Sequence, residues 1–217
     1  MTAGDLTVER VDLDGTSWID VVRGFVPVDA AAATHAELLE GVAWQQGRVF
    51  RYEKWIDEPR LGGWQKFADE HPVLHDAHVW LSRRYNVRFD GVALALYRNE
   101  RDSVAFHRDR ELRYLDNTVI AVLTFGATRP WLVKPITGGR RFDDDLSGAI
   151  DVRPASGDLL VMGGRCQQDW VHAVPKAQTR VAERISAQWR WTSGRGARDT
   201  NPGFRSARRF GDGSRGR

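Results

Sequence analysis

Arg184-Ile185-Ser186-Ala187-Gln188-Trp189-Arg190-Trp191 places polar side chains at even positions and apolar ones at odd positions, the pattern of a half-buried strand. Its polar face carries Arg184, Ser186, Gln188 and Arg190. Two guanidiniums on one face inside a β-fold are costly unless they meet carboxylates. Arginine suits that task because its planar fork grips a carboxylate through two parallel hydrogen bonds. Working outward, further β-rich segments cover Val92 to Tyr97, Thr118 to Phe125, Trp131 to Ile136, Ala149 to Arg153, Asp158 to Met162 and Trp170 to Val174. Such a succession of short strands predicts a mainly β double sheet with helices packed outside it.

A metal-ligand set precedes the arginines. In an extended segment residues two apart share a face, so His107 and Asp109 can converge on one ion while Arg108 points away. His172, in an alternating run with Trp170 and Val174, is the natural third ligand. Two histidines and one carboxylate on one face of a metal leave its remaining positions open, which suits non-haem Fe(II).

Tyr97, His107-Arg108-Asp109-Arg110-Glu111, His172 and Arg184 through Arg190, in this order, resemble the AlkB family of Fe(II)- and 2-oxoglutarate-dependent dioxygenases. The resemblance covers roughly residues 48 to 192 and is closest to the branch that repairs nucleic acid. It implies a double-stranded β-helix (jelly-roll), with Fe(II), 2-oxoglutarate and O2 as the reacting set. It also implies that His107, Asp109 and His172 bind iron, and that Arg184 holds the distal carboxylate of 2-oxoglutarate. Arg190 and Tyr97 lie near that molecule's iron-proximal end, with Ser186 beside them. The implied reaction is oxidative demethylation of N-alkylated bases, whose hydroxymethyl product releases formaldehyde. A base must leave its stack or arrive single-stranded to be reached. Trp64 is then the candidate aromatic clamp, Glu111 a reader of an exocyclic amino group, and Arg60 and Arg110 contacts to substrate or phosphate. Several positions depart from the family pattern. Ala95 and Ser186 stand where asparagines are usual, and Gln188 and Trp189 replace threonine and phenylalanine. These departures leave room for the same chemistry on a small molecule or a protein side chain, or for a nucleic-acid-binding module without catalysis.

Composition bounds the rest. A chain of 217 residues, 41% hydrophobic, forms one sizeable core. Residues 1–47 read as an N-terminal extension with a helix from Asp29 to Leu39, residues 48–193 as the dioxygenase domain, and residues 194–217 as a tail. A second helix spans about Glu70 to Tyr85, with Pro72 in its first turn; His71, His75 and His78 fall on one face, read as solvated because no acidic or cysteine partner is near. No run approaches the roughly 18 apolar residues of a membrane span. The acidic N-terminus lacks the apolar core of a secretory signal, and the lone Cys166, read as a buried filler, fits a reducing compartment. A cytoplasmic monomer is expected. Asp143-Asp144-Asp145 lacks the further ligand spacing of a calcium site. The net charge of +3 resides in the tail, whose seven arginines and two aspartates outweigh a slightly acidic remainder. Such a Gly/Ser/Arg-rich tail buries no core, is expected to be disordered, and can hold phosphates.

Overall fold

A computed structural model describes residues 6–51, 53–109, 112–136 and 146–197. Two antiparallel sheets dominate it. The larger is ordered β1 (Glu9–Asp12), β2 (Ser17–Val22), β10 (Leu159–Gly164), β7 (Thr118–Gly126), β12 (Arg184–Thr192), β5 (Gly91–Tyr97), β4 (Lys54–Lys66), β3 (Gln45–Arg51). The smaller is ordered β6 (Val104–His107), β11 (Trp170–Val174), β8 (Leu132–Pro135), β9 (Ile150–Asp151). This is the expected jelly-roll, with every strand expected above between residues 91 and 192 present within a few residues of its expected ends.

Burial of the large sheet on both faces explains its strand sequences. One face receives α1 (Val28–Gly41) and α2 (Pro72–Tyr85), and its core includes Leu94, Leu96, Leu123, Phe125, Ile185 and Trp189. Alternate residues of the same strands, among them Ala95, Tyr97, Ile120 and Val122, face the small sheet and pack with Trp131, Val133 and Val174. The even, polar positions of β12 therefore point between the two sheets, and the odd ones toward the helices. The two sheets make a lined space out of what would otherwise be a solid core.

Four strands lie ahead of those read from the sequence. Residues 17–22, assigned above to an N-terminal extension, form β2 and pair with β10 along its length, Trp18 opposite Gly163. A Cβ at Gly163 would sit 1.9 Å from the Trp18 ring, so only glycine leaves room for that packing. β3 and β4 form a hairpin that extends the sheet beyond β5.

The histidines of α2 are corrected. His78 is buried at 3% exposure and its Nδ1 lies 2.8 Å from a carboxylate oxygen of Glu70, while His71 caps the helix and lies 2.6 Å from Glu37. The helix begins only at Pro72, so Glu70 folds back from the chain ahead of it to reach His78 eight residues on, and Glu37 comes from α1; neither contact follows from spacing on one helix face. Cys166 is buried as expected, and burial pushes its thiol up to about 12.

Candidate metal centre and its pocket

His107 ends β6 and His172 sits mid-strand in β11, directly opposite it in the ladder. That pairing brings the imidazoles together with ring centroids 4.3 Å apart. Asp109, two residues past His107, turns its carboxylate to within 3.9 Å of His107 Nε2. One ligand atom from each of the three lies within 4.8 Å of the others. Among the described residues no other cluster of histidine, cysteine and carboxylate side chains has that geometry.

The protonation states suit ligation. The Nδ1 of His107 lies 2.9 Å from the carbonyl of Ala105, so Nδ1 carries the proton and Nε2 keeps its lone pair. Burial pulls His172 well below the usual histidine range and keeps it neutral. Burial by itself would raise Asp109, but the charge and hydrogen bond of Arg190 lead the effects that outweigh it and hold the carboxyl below the usual carboxylate range. Arg190 Nε donates to Asp109 at 2.7 Å. The Asp109 backbone N–H donates to Gln167 Oε1 at 2.7 Å, fixing the loop on which the carboxylate sits.

Arg184 is fully buried, at 0% exposure. It stands across the ladder from Tyr97, and Nη1 makes a 3.5 Å contact to the Arg129 carbonyl. Its Nε and Nη2 have no hydrogen-bond partner among the described residues. Burial lowers its pKa to about 10, opposed by Tyr97. A buried guanidinium with unanswered donors is the signature of a site for an anion. Three convergent ligands and that cation fit Fe(II) and a dicarboxylate. Tyr97, in the same pocket lining as Arg190, stands opposite Arg184 in the ladder, with its hydroxyl accepting from Arg60 Nη1 at 3.2 Å.

The pocket is lined by His107, Asp109 and His172 together with Arg60, Tyr97, Val104, Ile120, Val122, Trp131, Val174, Ser186, Gln188 and Arg190. Of the residues expected to meet substrate, Arg60 is in it. Trp64 is on β4, 57% exposed and outside the lining. It occupies the same sheet face, because Trp64 pairs with Ala93, which in turn pairs with Gln188. Arg110 and Glu111 lie outside the described residues, as do Asp143-Asp144-Asp145 and the tail from residue 198. Sequence reasoning missed Trp131, whose ring stacks on His172 at 5.6 Å and 20°. Only its place two residues before Val133, which pairs with His172, marks it. It also missed Arg129, fully buried, which donates to the carbonyls of Asn99, Asp102 and Pro175.

A family model described as the 2OG-Fe(II) oxygenase superfamily matches residues 21–203. The human alpha-ketoglutarate-dependent dioxygenase alkB homolog 3 is 30% identical over 193 residues, covering 81% of this chain, and the chain spans 66% of that relative's length. The DNA oxidative demethylase ALKBH2 of Arabidopsis thaliana is 30% identical over 122 residues, covering 48% of this chain and 38% of the relative. Among solved structures, a Trichoplax adhaerens prolyl hydroxylase in complex with a peptide superposes with a TM-score of 0.56 at 12% identity, covering 80% of this chain and 83% of that one.

Proposed function

Because the chain belongs to the 2OG-Fe(II) oxygenase superfamily, we propose that it is an Fe(II)- and 2-oxoglutarate-dependent dioxygenase that oxidatively demethylates N-alkylated bases of nucleic acid. The observation that carries the reading is the convergence of half-buried His107 with buried Asp109 and His172, together with a buried Arg184 on the pocket's face of β12 whose Nε and Nη2 have no partner among the described residues. The similarity to alkB homolog 3 and to a DNA oxidative demethylase supports the substrate class.

His107, Asp109 and His172 would hold Fe(II), and Arg184 with Tyr97 would hold the distal carboxylate of 2-oxoglutarate. Bound iron and 2-oxoglutarate supply an O2-dependent oxidation: one oxygen atom enters succinate as carbon dioxide leaves, and the other enters the substrate methyl group. The resulting N-hydroxymethyl group loses formaldehyde and returns the unmethylated nitrogen. Arg190 restrains Asp109 so that its free oxygen stays turned toward the histidines. Trp131, by stacking on His172, fixes that ring and, with Val104, Ile120, Val122 and Val174, keeps water from the reacting region. Trp64, exposed on the pocket's side of the sheet, offers a flat surface to an unstacked base. Arg60, beside Tyr97, is positioned for substrate, and Arg110 and Glu111 retain the roles proposed from sequence. A cytoplasmic monomer completes the reading, supported by the lone buried cysteine. No helix among the described residues is long and apolar enough to cross a membrane.

The test is formaldehyde release and mass loss from a single-stranded oligonucleotide carrying 1-methyladenine, 3-methylcytosine or 3-methylthymine, with Fe(II), 2-oxoglutarate and ascorbate. The parent protein removes methyl groups and Asp109→Ala does not. Succinate formation with every methylated base left intact would reject nucleic acid as the substrate while retaining the dioxygenase.

A further inference from the structure

On the sheet face that carries the pocket, the central strand β5 presents Gly91, Ala93, Ala95 and then Tyr97. The first three form a floor of small residues. β4 lies on one side of that floor, with Trp64 opposite Ala93, and β12 on the other, with Gln188 opposite Ala93 and Ser186 opposite Ala95. The Trp64 ring reaches over Gly91, passing 2.9 Å from where a Cβ would be. The strands on either side of β5 are about 10 Å apart, twice the ladder spacing. Ala93 and Ala95 thus floor a trough with the exposed indole on one rim and, on the other, Gln188, which lines the pocket together with His107, Asp109 and His172.

The chemistry of that wall is set by one hydrogen bond. Arg190 Nη2 lies 2.6 Å from Gln188 Oε1, and Arg190 Nε donates to Asp109. A guanidinium has no acceptor, so the carboxamide must turn its oxygen to Arg190 and keep its N–H2 for whatever enters the trough. Besides the ligands, the polar side chains lining the pocket are Arg60, Tyr97, Ser186, Gln188 and Arg190. The two arginines donate only, and the Tyr97 oxygen already accepts from Arg60. Among the described residues the trough thus offers mainly donors to its occupant.

We propose that Gln188 is a specificity-determining residue which donates to a ring carbonyl beside the methylated nitrogen. The favoured substrate class is then N-methylated bases with a carbonyl flanking that nitrogen, such as 3-methylthymine and 3-methylcytosine. 1-Methyladenine presents a C–H and an amino group on either side of its methylated nitrogen and leaves the donor unanswered. The proposal rests on the demethylase reading above.

The test compares kcat/KM on single-stranded oligonucleotides of one sequence carrying 3-methylthymine, 3-methylcytosine or 1-methyladenine, and oligonucleotide affinity by fluorescence anisotropy. Parent protein, Gln188→Leu and Gln188→Met are used, with folding checked by thermal melting. The parent favours the carbonyl-flanked bases. Both variants lower the ratio of 3-methylthymine to 1-methyladenine by about tenfold, the value of one lost hydrogen bond to a buried partner. Gln188→Met, close to the parent in size and without a donor or a charge, keeps the comparison decisive if Gln188→Leu is poorly folded. A parent preference for 1-methyladenine overturns the assignment, as does a fall of all three substrates by one common factor, which would make Gln188 only a support for Arg190. Consumption of 2-oxoglutarate with no base demethylated defeats the demethylase reading itself, and Gln188's role with it, and is told apart because no ratio then exists.

Discussion

Arg184 keeps a full charge inside the protein with Nε and Nη2 unanswered, so the protein without its cosubstrate bears a desolvation cost that binding would relieve. A carboxylate placed against those donors converts the cost into affinity through two charge-assisted hydrogen bonds. Arg184→Met should therefore leave the ligand-free protein as stable as the parent, or more so, while abolishing the response to 2-oxoglutarate. At a hundredfold excess over Kd a ligand stabilises the native state by about 2.7 kcal/mol, a rise in Tm of roughly 5–10 °C for a domain of this size. Differential scanning fluorimetry with and without 2-oxoglutarate checks both halves. A variant much less stable than the parent, or one still raised by the ligand, would mean that Arg184 serves the core and not a ligand. The spacing of Arg184 and Arg190 was legible because polar residues at strict alternation in a buried strand need an explanation. Trp131 and Arg129 were not, since one tryptophan among nine and an arginine in a Thr-Arg-Pro turn carry no periodic signal. Their roles come from the cross-strand partner of His172 and from three carbonyls scattered along the chain.

At the scale of elements, the metal site depends on connections as much as on strands. The turn from β5, which carries Tyr97, to β6, which carries His107, is closed by Asp102, whose carboxylate accepts from the Arg98 backbone N–H at 2.9 Å, its Nε at 2.7 Å and its Nη2 at 2.9 Å. Arg129 then ties the Asp102 carbonyl to that of Pro175, just beyond the strand of His172. Burial would raise the Asp102 pKa, but the hydrogen bonds and charge of Arg98 prevail and lower it. A lowered folded-state value means that the stabilisation is fully present above the unfolded value of 3.8 and is lost as pH falls through the folded one. Asp102→Asn should cost about 1–3 kcal/mol at neutral pH. Urea unfolding across pH should show that deficit constant above pH 4 and shrinking below it; a deficit independent of pH would assign the effect to packing. The same scale explains which strands the sequence revealed. β5, β7, β10 and β12 are apolar on one or both faces and easy to read. β1 and β2 escaped because β1 is a charged, fully exposed edge and β2 is short and interrupted by Asp20, whose carboxylate is answered by Arg10 and Tyr85. β4 escaped because Pro59 and the Gly62-Gly63 pair inside it imitate a loop.

For the molecule as a whole, charge and catalysis are segregated along the chain. Residues up to 193 are slightly acidic, yet the proposed substrate is a polyanion, and the arginines that would attract it lie mostly beyond residue 197. Inside the pocket the cations have partners: Arg190 in Asp109 and Gln188, Arg60 in Tyr97. Attraction for the backbone and recognition of the base are then separable functions of one chain. Removal of residues 198–217 takes away six arginines and two aspartates. On single-stranded nucleic acid each phosphate contact contributes about 0.7 to the slope of log affinity against log salt, so truncation should flatten that slope by up to about 4. The loss should be equal for methylated and unmethylated strands, with 2-oxoglutarate consumption in the absence of nucleic acid intact. Anisotropy titrations over a range of salt concentrations measure it directly. An unchanged slope would place the phosphate contacts on the folded domain, and a loss confined to methylated strands would place the tail at the base itself.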